Sequence, residues 1–258
     1  MCGIVGIAGR HEVEWIRRMN GAIVHRGPDD QGVYQSPDQS VSLAMRRLSI
    51  LDLEGGHQPM SDASGTVWIV FNGEIYNAPE LRSRLERQGH HFSTKNSDTE
   101  VLLHLYQEKG SAFLNDLNVM FAFVIHDQRK NLLFGARDRM GIKPLYYWHQ
   151  GGRLAFASEL KSLLQLPFVS RDPNPQSLYH YMTLLYVPDH ASILQGVFRV
   201  PPGHSFLYDL DRQTMQVEQY WRLRFSTIEN RSEEEWAEVL RAELRASVKR
   251  WTLSDVPI

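Results

Sequence analysis

Cysteine is nearly absent: the 258-residue chain has one, at position 2. A lone cysteine cannot close an intrachain disulfide, which favours a reducing compartment and a cytoplasmic location. An excess of either charge is also missing. The formal charge is −2 and the isoelectric point about 6.6, so nothing electrostatic calls for nucleic acid or an anionic membrane as partner. No apolar run approaches the roughly 18 residues of a membrane span. The apolar opening is broken by Arg10 and has neither the basic start nor the cleavage site of a signal peptide. Metal-binding spacings are lacking too: there is no CxxC or HExxH, and His90-His91 are adjacent rather than placed on one helix face. No metal is expected. Gly3, Gly6 and Gly9 do not follow GxGxxG, and no GxxxxGK[ST] phosphate loop occurs.

What remains is an ordinary globular balance, 42% hydrophobic and 22% charged, in a length that suits one large domain or one domain plus part of another. CGIVGIAG has no polar backbone-competing side chain and reads as a buried strand. An amphipathic helix follows, with Ile16, Met19 and Ile23 on one face. HRGPDDQG reads as a loop, VSLAM as a strand, and TVWIVFNG as a strand ending at an Asn72-Gly73 turn signal. Helices are expected near Pro79–Gln88 and Asp98–Glu108. MFAFVIHDQRKNLLFGARD and LYYWHQGGRLAFAS each place two apolar runs around a polar turn, the mark of antiparallel hairpins. Hairpins with helices in separate runs argue for α+β antiparallel layers. DPNPQSLYHYM starts a helix behind prolines, and VPPGHSFLYDL looks like an exit from the domain into a strand. The last long segment is an amphipathic helix. A Ser232…Glu235 capping box opens it, and Trp236, Val239, Leu240, Leu244, Val248 and Trp251 form its apolar stripe. A stripe of that kind needs a surface to pack on, so the natural chain is expected to continue.

Four short stretches could carry chemistry. With Met1 removed, Cys2 would bear an α-amine of pKa about 7.7–8.0 beside a thiol of about 8.5, a nucleophile with its own adjacent base. The plainer alternative is a small buried hydrophobe in a strand. RRLSILD carries an arginine pair, either a carboxylate fork or a surface pair. FNGEIYN sets the Asn72 amide beside the Gly73 N–H, either an oxyanion hole or a plain hairpin turn. NSDTE is either a helix cap with acidic first-turn residues or, through Asp98, a seat for an ammonium group. Together they supply the parts needed to hydrolyse a side-chain carbonyl on a free amino acid.

MCGIVGI, HRGPDDQG, RRLSILD, FNGEIYN, SDTEVLLHLYQEKG, MFAFVIHD, ARDRMGIKPLYY and ASELKSLL stand in the order of the class II glutamine amidotransferases. The chain resembles most the glutaminase domains of glutamine-hydrolysing asparagine synthetases, over about residues 2–212. The resemblance implies an α+β fold, the four-layer αββα sandwich of N-terminal-nucleophile hydrolases. Residues 213–258 would then be a linker and the first helix of an α/β ATP-pyrophosphatase domain. It also implies roles. Cys2 would attack the carboxamide of glutamine, and Asn72 with the N–H of Gly73 would form the oxyanion hole. Arg47, rather than Arg46, would hold the α-carboxylate and Asp98 the α-ammonium, with Glu74 and the backbone of Leu48, Ile50 and Leu51 completing the pocket. No cofactor is expected in this segment. ATP and Mg²⁺ would serve the synthetase part, where aspartate accepts the ammonia, and a homodimer is an open expectation. Two other readings stay in view: an amidotransferase serving another carboxylate acceptor, and a silent regulatory domain.

Overall fold

Along Gly3–Ala8 (β1) every residue is buried, because alternate side chains leave the strand for two different cores. Val5 and Ile7 join a cluster with Ile16 and Met19, whereas Ile4 and Ala8 join one with Val70, Val124 and Phe206. Such a strand has no solvent face and reads as an unbroken apolar run. A computed structural model describes residues 1–258 apart from 189, 226–228, 253, 257 and 258.

After β1 come α1 (Val13–Gly21), β2 (Asp30–Gln35), β3 (Val41–Arg47), β4 (Met60–Ser61) and β5 (Val67–Ile75). The helices α2 (Ala78–Arg87) and α3 (Asp98–Lys109) precede the hairpin β6 (Val119–Asp127) and β7 (Leu132–Arg137). A second hairpin, β8 (Tyr146–Gln150) and β9 (Arg153–Ala157), leads to the short α4 (Leu160–Leu163) and to α5 (Pro175–Leu184). The chain closes with β10 (Val197–Arg199), β11 (His204–Asp209), β12 (Thr214–Gln219) and α6 (Glu233–Trp251).

Two six-stranded sheets result, in the orders β10-β8-β9-β1-β3-β2 and β12-β11-β7-β6-β5-β4. Every named pairing is antiparallel. Three apolar clusters define the layers: α1 and α4 against the first sheet, sheet against sheet, and α2 and α3 against the second sheet. This is the four-layer αββα sandwich expected from the motifs. Each fully buried Leu, Ile or Phe in these clusters contributes about 1.5–3 kcal/mol.

Three local expectations need correction. Asn72 and Gly73 do not form a turn: β5 runs on to Ile75, with Asn72 opposite Ala122 and Gly73 opposite Phe121 on β6. Cross-strand pairing supplies a continuation that the Asn-Gly dipeptide alone does not reveal. Ile23 is buried, but it lies beyond the end of α1. The VPPGHSFLYDL strand is not an exit from the domain: β11 sits between β7 and β12, so the second sheet reaches Gln219. Helix α6 has its capping box formed in both directions. Its whole stripe is exposed, Leu240 at 61% and Val248 at 64%, and among the described residues only Trp251 of that stripe shows a ring contact with the sandwich, stacking on Tyr76. No described helix is long and apolar enough to cross a membrane.

Candidate active site

Cys2 lies at the start of β1 and packs against the inter-sheet core, so its thiol opens where the two sheets meet. A cleft of about 340 Å³, counted to its open mouth, is lined there by Cys2, Arg47, Leu48, Ile50, Leu51, Gly73, Glu74 and Asp98, among others. Eight of the nine residues singled out from the sequence therefore share one cavity. The ninth, Asn72, is buried beside it at 1% exposure. Side-chain alternation turns Asn72 to the same inter-sheet face as Val70, the layer that holds Cys2.

The Asn72 Nδ2 is buried and has no hydrogen-bond acceptor among the described residues. Leaving a donor in that state costs about 1–3 kcal/mol, and such an atom in a cleft calls for a ligand acceptor. Gly73 provides a second donor by strand geometry. The Phe71 N–H donates to Gln58 Oε1 at 2.7 Å and the Ile75 N–H to Asp98 Oδ2 at 3.1 Å. Both leave β5 on the side away from β6, and the alternation of an antiparallel strand sends the Gly73 N–H between them to that side. A Cβ at Gly73 would stand 2.4 Å from the Met120 carbonyl oxygen, so the position admits only glycine.

Arg47 ends β3 and is 5% exposed, whereas Arg46 donates from its Nε to the Asn20 carbonyl. The Arg47 guanidinium donates to the carbonyls of Leu53, Leu51 and Asp52 at 3.2, 2.7 and 2.7 Å. Of its five N–H groups, the one on Nε and one on Nη1 lack an acceptor among the described residues, leaving capacity for a carboxylate. Asp52 organises this loop from a left-handed backbone with φ of 46°. Its carboxylate accepts from the N–H groups of Gly55 and Asn96. Burial works against its ionisation, but backbone donors from Asn96, Gly55, Ser97 and Lys95 hold its pKa below the ordinary carboxylate range. A Cβ at Gly56 would sit 2.0 Å from Arg47 Nη2. Gly56→Ala is therefore expected to fold and to displace the guanidinium. Steady-state kinetics should show the KM for an amino-acid substrate rising about tenfold, the size of one charge-assisted hydrogen bond; an unchanged KM would refute this arrangement.

Asp98 begins α3, and its approach is braced by Glu100. The Glu100 carboxylate accepts from the backbone and hydroxyls of Ser93 and Thr94. Burial opposes its ionisation, yet those donors together with His104 bring its pKa down to about 2. Asp98 is buried, and Glu74, half-buried, lies near it. Burial raises both above the ordinary carboxylate range, the repulsion of Asp98 raises Glu74 further, and Arg47 opposes the rise at both. The pair titrates as a unit. Arriving ammonium would favour the ionised form and lower it again. Affinity for an α-amino acid should therefore weaken as pH falls, beginning well above the usual carboxylate range. Calorimetry on a Cys2→Ala variant reads this without turnover; an affinity flat down to pH about 5 would contradict it.

The thiol and the chain terminus share this field. Burial pushes the Cys2 thiol up, with Glu74 adding to the rise and Arg47 opposing it. Burial lowers the Met1 amine; Cys2 opposes this, and Arg26 and Lys143 reinforce it. The Met1 amine is thus biased toward its neutral form, next to a thiol that keeps its proton until a base removes it. Two residues in this field were not singled out from the sequence. Arg26 donates from its Nε to the Cys2 carbonyl at 2.8 Å and pairs with Glu159 at 2.9 Å. Lys143 is 6% exposed and interacts electrostatically with Glu74 and Cys2. Arg26 stands inside HRGPD and Lys143 inside MGIKP, so the motifs were visible, but their contacts join distant parts of the chain. Among the described residues, no group of three or more His, Cys, Asp or Glu side chains could hold a metal.

A thiol, two N–H donors, a guanidinium and a carboxylate pair thus meet at or beside one cleft of an αββα sandwich. The glutamine amidotransferase domain model matches residues 1–221, and the chain belongs to that family. Asparagine synthetase [glutamine-hydrolyzing] 1 of Bacillus subtilis is 39% identical over 265 residues, covering 100% of this chain and 41% of that protein. A putative asparagine synthetase [glutamine-hydrolyzing] 2 of Methanocaldococcus jannaschii is 37% identical, covering 86% of this chain and 47% of its own length. The chain thus spans less than half the length of these relatives. Among solved structures, the glutamine phosphoribosylpyrophosphate amidotransferase of B. subtilis aligns with a TM-score of 0.62 at 21% identity, over 85% of this chain and 49% of that one. That likeness concerns the fold.

Proposed function

We propose that this chain is the glutaminase portion of an asparagine synthetase, with Cys2 as its N-terminal nucleophile once Met1 is removed. The observation that carries the reading is the Asn72 Nδ2, unpartnered among the described residues and buried beside a cleft that holds Cys2. Arg47 receives the α-carboxylate of glutamine. Asp98 and Glu74 receive its α-ammonium, and the backbone of Leu48, Ile50 and Leu51 borders the ligand. The Cys2 amine takes the thiol proton as Sγ attacks the carboxamide carbon. The oxygen that becomes negative lies against Asn72 Nδ2 and the Gly73 N–H. The amine then delivers its proton to the departing nitrogen, which leaves as ammonia, and a thioester remains on Cys2. Water, deprotonated by the same amine, attacks the thioester and releases glutamate and the thiol.

Aspartate, ATP and Mg²⁺ enter through the portion of the relatives that lies outside this chain, where the ammonia is consumed. The 213–258 segment would be the approach to that portion. A cytoplasmic location fits the lone cysteine. The test is the complete protein given glutamine, aspartate and ATP. Glutamate, asparagine and AMP should appear together, and AMP should require aspartate. Glutamate formation with no aspartate-dependent AMP would keep the glutaminase and remove asparagine synthesis.

A further inference from the structure

Past α6 the chain returns to the loop that borders the cleft at Ile50 and Leu51. The Asp255 N–H donates to the Ile50 carbonyl at 2.9 Å, and the Asp255 carboxylate accepts from the Asp52 N–H at 2.7 Å. The Ser254 hydroxyl also reaches the Ile50 carbonyl, at 3.3 Å. These contacts join residues more than 200 positions apart, and they fall on the loop whose carbonyls hold Arg47. With Asp255 in place, every polar group of Asp52 is engaged. Its N–H meets Asp255, its carbonyl accepts from Arg47 and Gly56, and its carboxylate accepts from Gly55 and Asn96. Trp251, earlier in the same stretch, stacks on Tyr76 with ring centroids 5.5 Å apart and planes 17° apart. Tyr76 directly follows Ile75, whose N–H Asp98 holds. The same stretch of chain therefore touches the supports of both the carboxylate clamp and the ammonium clamp.

We propose that Asp255 is a positioning residue for glutamine: together with Trp251 it straps the Leu48–Gly56 loop and the end of β5 in their substrate-binding geometry, so that glutamine affinity depends on where α6 stands. This rests on the reading of the cleft as a glutamine pocket. Asp255 touches no reacting atom. Its carboxylate fixes the Asp52 backbone, Asp52 fixes the Arg47 guanidinium and the Asn96 turn, and those two lead to the ends of the bound amino acid. Displacing α6 releases the strap and loosens both clamps while Cys2, Asn72 and Gly73 stay on their strands.

The test compares Asp255→Ala and Asp255→Asn with the unaltered chain in steady-state glutamine hydrolysis, thermal melting and backbone hydrogen exchange of the peptide spanning residues 48–56. Asp255→Ala should raise the KM for glutamine about three- to tenfold, the range expected for one charge-assisted hydrogen bond at a part-exposed site. Its kcat should stay within about twofold, and the 48–56 peptide should exchange faster. Asp255→Asn keeps an oxygen that can accept from the Asp52 N–H and should restore both readouts. An unchanged KM in an active protein would overturn the proposal, and so would equal effects of Ala and Asn or a fall in kcat with KM constant. If the unaltered chain hydrolyses no glutamine, the glutamine reading fails by itself. The exchange of the 48–56 peptide still decides whether the strap exists: unchanged exchange in Asp255→Ala would remove it.

Discussion

Cys2→Ala should abolish glutamine hydrolysis, lowering the rate by at least about 10⁴-fold, as removal of other attacking nucleophiles does. The thiol is the only cysteine sulfur in the chain, so no neighbour can take over the attack. Its loss should leave the binding groups in place, because Arg47 is held by the loop carbonyls and Asp98 by its bond to the Ile75 N–H. Glutamine should still bind, and ligand-induced protection should persist in a thermal shift. Cys2→Ser is the sharper variant. It keeps the size and a proton, yet a hydroxyl is far harder to ionise than a thiol and is poorly activated by an amine of pKa near 8. Hydrolysis by Cys2→Ala within tenfold of the unaltered chain would show that another group is the nucleophile.

Asn72→Ala should cut kcat by about 10²–10³ with little change in KM. The difference between the two parameters is informative. A donor aimed at the oxygen that becomes negative stabilises the transition state more than the bound substrate, so its removal lowers kcat without weakening binding. The structural effect should run the opposite way. In the free chain the Asn72 Nδ2 is buried without an acceptor among the described residues, a condition that costs about 1–3 kcal/mol. Replacing it removes that penalty, and the melting temperature should hold or rise while activity collapses. A site that exchanges stability for catalysis behaves this way. A fall in melting temperature of more than a few degrees would mean that Asn72 is a structural residue. A rise in KM with kcat unchanged would move it from the oxyanion hole to substrate binding.

The legible part of this fold was its periodicity and its hairpins. Gly3–Ala8 is apolar throughout, and β6 is apolar from Val119 to Ile125, because both faces of each strand are covered. A strand buried on two sides predicts layers outside both sheets, and the Gly151-Gly152 turn, with φ of 58° and 69°, was evident from composition. Asn72-Gly73 shows the limit. The dipeptide favours a turn locally, but pairing with β6 keeps both residues extended, and that pairing is not visible in seven residues of sequence. The residues that meet at the cleft were picked out where they stand close together in the sequence, as at positions 47–51 and 73–74. The site was not legible where a role depends on contact between distant segments. Arg26 is tied to the Cys2 carbonyl, Gln58 to the Phe71 N–H, and Asp255 to the Asp52 N–H. No spacing rule relates residues 24, 13 or 203 positions apart. The α6 stripe was read correctly as apolar, but its partner surface cannot be inferred from a hydrophobic period, and the whole stripe stands exposed.

The account depends on Cys2 being a free, activated terminal residue inside a glutamine pocket. The most direct measurement is the intact mass of the purified protein before and after incubation with a glutamine-like diazo-ketone, followed by peptide mapping. The predicted result is a protein already lacking Met1 that gains one adduct on Cys2, with excess glutamine blocking the reaction. Retained Met1, or a free Cys2 that the reagent leaves unmodified, would contradict the account.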